Sequence, residues 1–181
     1  MTQHFMKGTD MTIFKQEIKS QKISISIWSL SIGLLIAACV IMYPDMKSQM
    51  DSVNEMFSSM GNFTQAFGMD QLNFGTLLGF YAVEGGNILG IGGAFFAAIT
   101  AITALMKEEK ERTAEFLMTH PVSRRRVITE KLASVFMILI ILNILVFICS
   151  AGSVIFIHEE VEWKTLILLH LAYLFMQFEI A

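Results

Sequence analysis

The sequence predicts an all-α fold: a polytopic membrane helical bundle with about four spans, forming a single transmembrane domain over residues 1–181. The chain is 54% hydrophobic and only 16% charged, whereas a soluble domain carries about 25% charged residues. Several long runs contain no charged side chain, and about 20 apolar residues are enough for a helix to cross a bilayer. Lys and Arg also alternate between rich and poor connections, which is typical of a multi-pass topology.

Four apolar runs give the expected spans, at residues 24–43, 86–106, 132–157 and 165–181. The first is not a cleavable signal, because it is longer than a typical signal core and no small-residue cleavage site follows it. The last runs apolar to Ala181 with no basic cluster after it. We therefore expect the printed chain to be truncated inside its fourth span.

The distribution of basic residues orients these spans. The N-terminal tail and the connection 107–131 are rich in Lys and Arg, whereas the connections 44–85 and 158–164 carry only Lys47 and Lys164. By the positive-inside rule, the tail and 107–131 are cytoplasmic and the other two connections lie outside. We expect a multi-pass protein of the cell membrane with a cytoplasmic N-terminus.

Two further helices are expected beside the spans. Residues 14–22 mix charged and apolar side chains and predict an N-terminal interfacial helix, or else a solvated basic flank that only sets topology. In the outer loop 44–85, apolar residues at steps of three or four predict an outer amphipathic helix. Its methionines do not indicate a Cu(I) site, because no His or Cys is interleaved with them. The apolar positions are Met46, Met50, Val53, Met56, Phe57, Met60, Phe63 and Phe67.

Small residues form a narrow stripe along the second span. Glycine and alanine let helix backbones approach closely in lipid, so we expect this face to pack tightly against another span. A surface that slides in a moving transporter is the alternative. The stripe comprises Gly86, Gly90, Gly93, Ala97 and Ala101, with Ala94 and Ala104 beside it.

The connection 107–131 reads KEEKERTAEFLMTHPVSRRRVITEK. Opposite charges four residues apart favour a helix that continues from the second span. Pro121 disfavours helix at His120, and Ser123 can cap a new helix that leads into the third span. We therefore expect a cytoplasmic helix-break-helix segment. Apolar residues at its bend favour docking to a protein, and the alternative is a solvated loop whose arginines meet anionic lipid.

This connection resembles the permease subunits of ABC-2 type ABC transporters. The likeness lies in the acidic run from Glu108, in Thr113-Ala-Glu115-Phe-Leu117, in Pro121-Val-Ser123-Arg124 and in Lys131 before the next span. Arg112 stands where glycine is common in that family. Members usually have six spans.

The resemblance implies a function. In that family this segment docks into a separate ATP-hydrolysing subunit, and a second permease subunit completes a homo- or heterodimer. It implies an exporter that binds no cofactor itself, while ATP and Mg²⁺ are used by the partner; no Walker A loop is found in this chain. It also implies that the ATPase-coupling residues are Thr113, Glu115, Leu117, Pro121, Ser123 and Arg124.

Polar residues inside the apolar runs are candidates for a substrate path. Intramembrane polar groups usually face protein or water, so Asn143, His170, Gln177 and Glu179 either line such a path or bond to neighbouring helices. Cys39 and Cys149 lie in apolar runs, and we expect them to behave as buried apolar residues. We expect no metal site and no catalytic residue, because His158-Glu-Glu lacks the second histidine of a zinc protease motif.

Two other classes of function stay open at this point. A non-transport membrane protein could use its basic loop to anchor a partner or anionic lipid. An intramembrane enzyme is disfavoured by the lack of a catalytic constellation. The net charge of −3 gives no indication of a nucleic-acid partner.

Overall fold

The computed structural model describes residues 12–59, 76–110 and 124–181, and these form four helices. They are α1 (Thr12–Ser59), α2 (Leu77–Lys110), α3 (Arg124–Ile157) and α4 (Trp163–Ile180). Within the described residues, α1, α2 and α3 are long and apolar enough to cross a membrane. The all-α membrane bundle expected from the sequence is therefore confirmed.

The four helices run alternately up and down. At one end of the bundle, the start of α1 contacts the end of α2 and the start of α3. We call this the basic end, because Lys107, Arg126 and Lys131 lie there. At the opposite end Lys47 of α1 pairs with Glu159, just after α3. The connection 107–131 therefore emerges at the end where α1 begins.

One continuous helix replaces three expected elements. The interfacial helix, the span 24–43 and the start of the outer helix are all parts of α1, which is 48 residues long and contains Pro44. The boundary expected at Pro44 is absent. An interior proline has a helical φ, but it removes one helix hydrogen bond and its ring crowds the preceding turn. Tyr43 packs on Phe80 at 5.3 Å between ring centroids, and Lys47 pairs with Glu159, so contacts on both sides of the proline stabilise the helix.

The second and third spans are longer than the apolar runs that predicted them. Helix α2 begins at Leu77 rather than Gly86. It extends through Glu84, which is exposed, while Phe80 and Tyr81, one turn earlier, are buried in the bundle. Helix α3 begins at Arg124 and continues into the apolar run, as the expected helix after Pro121 requires.

The fourth expected span, 165–181, forms α4, a helix of 18 residues. Unlike α1 to α3, it is not among the described helices that are long and apolar enough to cross a membrane. Its polar residues, Lys164, His170, Gln177 and Glu179, lower its hydropathy. It nevertheless lies along α2, and two of these side chains, His170 and Gln177, are buried in the bundle, whereas Lys164 and Glu179 are exposed.

The core lies along the seam between α1 and α3, which pack together extensively. Ile36, Leu139 and Leu142 are fully buried there. Gly33 permits a close approach, since a Cβ at this position would lie 2.9 Å from the Sγ of Cys149. The outward faces remain apolar, with Leu34 and Ile102 more than half exposed, as expected for helices that face lipid or another subunit.

Candidate functional site

The expected ATPase-coupling residues fall almost entirely outside the described residues. Thr113, Glu115, Leu117, Pro121 and Ser123 lie there, and Arg124 is the first residue of α3, with only its backbone described. The structure therefore shows how the two flanks of the connection are held, at the end of α2 and the start of α3.

An ion pair ties the first flank to α1. Lys107 Nζ lies 3.4 Å from Glu17 Oε2, and the Glu17 side chain is only 5% exposed. Lys107 also donates to the hydroxyl of Ser20 at 3.3 Å. A carboxylate taken out of water is costly unless it is paired, so this contact fixes the position of α1 relative to the end of α2.

The second flank is tied to both other helices. The backbone N–H of Phe14 donates to Glu130 Oε2 at 3.4 Å, and Glu130 accepts from Arg126 Nε at 2.8 Å. The buried Lys131 donates to the backbone carbonyl of Ala104 on α2. The start of α1, the end of α2 and the start of α3 are thus joined by hydrogen bonds at the basic end.

The small-residue stripe of α2 faces α4. A Cβ at Gly86 would overlap the hydroxyl of Tyr173, one at Gly90 would lie 3.2 Å from Tyr173 Cε1, and one at Gly93 would overlap Gln177 Nε2. Further along, Ala97 is fully buried and Ala101 is 9% exposed. The structure thus places Gly86 and Gly93 where a Cβ would overlap side chains of α4, and Gly90 where a Cβ would be crowded by one.

Two polar side chains of α4, His170 and Gln177, are buried and hydrogen-bonded to neighbouring helices. Tyr81 of α2 donates its hydroxyl to Ser150 Oγ at 2.8 Å and lies 2.7 Å from His170 Nε2. Phe147 meets the His170 ring edge-on at 5.1 Å between centroids. His170 is therefore held by α2 and α3 together.

The second of these side chains, Gln177, joins α4 to α3. Asn143 Nδ2 donates to Gln177 Oε1 at 2.7 Å and to the carbonyl of Leu139 at 2.9 Å. Three buried side-chain atoms here have no hydrogen-bond partner among the described residues: Asn143 Oδ1, Gln177 Nε2 and His170 Nδ1. The predicted substrate-path residues Asn143, His170 and Gln177 are thus brought together, whereas Glu179 is exposed and does not join them.

Comparison with known proteins identifies the family. The family described as ABC-2 family transporter protein matches residues 11–179. The chain belongs to the ABC-2 transporter family. No curated protein and no solved structure matches it.

As an ABC-2 family member, the chain is a multi-pass membrane component and not itself an ATPase. The match includes the whole of the connection 107–131 whose residues carried the resemblance. Within the described residues, no group of His, Cys, Asp and Glu could hold a metal ion.

Sequence reasoning did not find the acidic partners at the basic end of this ABC-2 chain. Glu17 is a lone carboxylate among Lys15, Lys19 and Lys22, and an acid surrounded by lysines was a signal for a buried pair. It could not identify Lys107 as the partner, since that pairing depends on how α1 and α2 cross. Glu130 lies beside Lys131 in the sequence, and nothing in the sequence marked it as a contact of α1.

Proposed function

We propose that this chain is the transmembrane permease subunit of an ATP-driven ABC transporter, an exporter coupled to a separate ATPase subunit. The observation that carries the proposal is the ABC-2 family match over residues 11–179, which spans the helices and the connection between α2 and α3. In this proposal the ATPase subunit binds Mg²⁺ and hydrolyses ATP, and this chain binds no cofactor of its own.

The basic end supports a coupling role for the connection. Both of its flanks are fixed to α1, through Glu17 with Lys107 and through Phe14 with Glu130. A partner that moves residues 111–123 would therefore transmit force to three helices together rather than only bend the loop. Joined rigid helices are the kind of element that transmits a change between distant sites.

A second permease subunit, identical or different, completes the transporter in this proposal. The outward faces of α1 to α3 carry large exposed apolar residues, among them Leu34, Phe95 and Ile148. Such faces suit lipid or a second set of helices. A dimer would also place two basic ends side by side, one for each ATPase subunit.

The proposal fixes a topology in the cell membrane. The N-terminus and the connection 107–131 are cytoplasmic, and the connection between α1 and α2 lies outside. Ser52 is exposed on the outer part of α1. A single cysteine at Ser52 should react with a membrane-impermeant maleimide in intact cells, and one at Thr119 should react only after permeabilisation. Labelling of Thr119→Cys in intact cells would contradict this orientation.

The proposed function is tested by co-purification of the full chain with an ABC ATPase, such as one encoded beside it. We expect recovery of the ATPase with the permease and stimulation of its ATP hydrolysis in proteoliposomes. An ABC-2 chain that recovers no ATPase, but binds anionic vesicles through its basic connection, would instead be an anchor for lipid.

A further inference from the structure

A groove of about 290 Å³ lies between α3 and α4 at the depth of the membrane. Its walls are aliphatic and aromatic, and include Ile144 and Phe147 of α3 and Leu171 of α4. Ile144 and Leu171 are also exposed at the outer surface of the bundle, by 53% and 42%. The groove is therefore open to molecules that arrive through the hydrocarbon of the bilayer.

Two buried polar side chains form part of this otherwise apolar wall. Asn143 and His170 line the groove, and each is only 6% exposed. Asn143 Oδ1 and His170 Nδ1 have no hydrogen-bond partner among the described residues. Buried polar atoms are normally paired, and a largely apolar pocket with a few convergent polar groups is the usual form of a small-molecule site.

The hydrogen bonds around these side chains set the chemistry that the groove offers. Asn143 Nδ2 donates to two oxygens, those of Leu139 and Gln177, which fixes the amide and leaves Oδ1 as an acceptor. Tyr81 Oη lies 2.7 Å from His170 Nε2 and 2.8 Å from Ser150 Oγ, and His170 Nδ1 donates or accepts according to the tautomer of the ring. Asn143 Oδ1 therefore suits a ligand that brings a donor, and a hydroxyl or primary amide, which both donates and accepts, suits either tautomer of His170.

The geometry points to a binding site for an amphipathic, membrane-soluble molecule with a hydrocarbon body and one hydrogen-bond donor, such as a long-chain alcohol or primary amide. The hydrocarbon fills the apolar groove, and the hydroxyl or N–H reaches Asn143 and His170. The assignment of this class to the exported substrate rests on the proposed function. The existence of the site does not, since it requires no ATPase.

A pair of photoreactive probes tests the site in proteoliposomes that contain the full chain. One is a diazirine-bearing fourteen-carbon alcohol, and the other is the matching alkane without the hydroxyl. After irradiation, we expect the alcohol to label peptides 140–147 and 167–174 about fivefold more than the alkane, the ratio that one net hydrogen bond supplies. Asn143→Leu should lower this preference and leave alkane labelling in place.

Two tryptophan variants of α4 provide the matched control. Leu171 lines the groove, whereas Leu168 is 55% exposed and does not. Leu171→Trp should fill the groove and lower labelling by the alcohol several-fold, and Leu168→Trp should leave it unchanged. Both positions are at the surface, so neither change threatens the fold.

Three outcomes would overturn the inference. Equal labelling of the wild type by the two probes would mean ordinary contact with lipid. Equal labelling of the two tryptophan variants would place the probe elsewhere. If neither probe labels the groove and copies that carry Ile144→Cys form disulfides with each other, the groove is an interface between subunits. Recovery of the ATPase is a separate measurement, so failure of this site leaves the proposed function standing, and failure of that function leaves the site.

Discussion

Gly93→Leu in α2 should sharply reduce the amount of folded chain recovered from the membrane. A Cβ at Gly93 would overlap Gln177 Nε2 and lie 2.8 Å from its Cδ. Gln177 is fully buried and holds a hydrogen bond from Asn143, so it cannot move aside without losing that bond. Overpacking costs about 1–3 kcal/mol and the lost bond about 1 kcal/mol, which together are a substantial fraction of a typical stability of about 5–15 kcal/mol.

The matched control for this prediction is Gly152→Leu in α3. Gly152 is also helical, but a Cβ there would meet nothing within 4 Å. The two variants are compared by size-exclusion profile and melting temperature in detergent at equal expression. If Gly93→Leu is as stable as Gly152→Leu, then α4 does not pack on the glycines as the structure describes.

Glu17→Lys should destabilise the basic end. The change replaces a nearly buried carboxylate, whose Oε2 lies 3.4 Å from Lys107 Nζ, with a second ammonium group. The lost charge-assisted bond alone is worth about 1.5–3 kcal/mol, and repulsion between the like charges adds to it. We expect a fall of several degrees in the melting temperature, together with faster proteolysis of the connection 107–131.

A charge swap distinguishes the pair from a general effect of charge. The double variant Glu17→Lys with Lys107→Glu restores opposite charges and should recover a large part of the lost stability. Gln16→Lys, at an exposed neighbouring position of α1, adds positive charge at the same end and should change the melting temperature little. Absence of rescue by the swap would show that Glu17 and Lys107 do not act as a pair.

The helices and their order could be predicted from the sequence because the bilayer requires long apolar helices. Their ends could not be predicted as well. Pro44 and Glu84 interrupt the apolar pattern, yet α1 and α2 continue through them. At these positions tertiary contacts, such as Tyr43 on Phe80, outweigh local preference, and such contacts are invisible in a single sequence.

The candidate site, like the helices, could be predicted from the sequence only in part. The spacing of Gly86, Gly90 and Gly93 predicted a close-packing face, but only the structure places Tyr173 and Gln177 against it. Asn143 and Gln177 were flagged because polar groups are costly in the membrane. Their hydrogen bond to each other could not be foreseen, because it joins residues 34 positions apart on different helices.

The measurement that tests the central claim most directly is recovery of the ATPase by the wild type and by Glu115→Lys at equal abundance in the membrane. Glu115 lies in the connection whose flanks the basic end holds in place, outside the described residues. If it contacts the ATPase, reversal of its charge costs about 2–5 kcal/mol of binding, so recovery and transport should fall at least tenfold while the melting temperature is unchanged. Equal recovery with unchanged transport would contradict the account, because the connection would then not be the coupling contact.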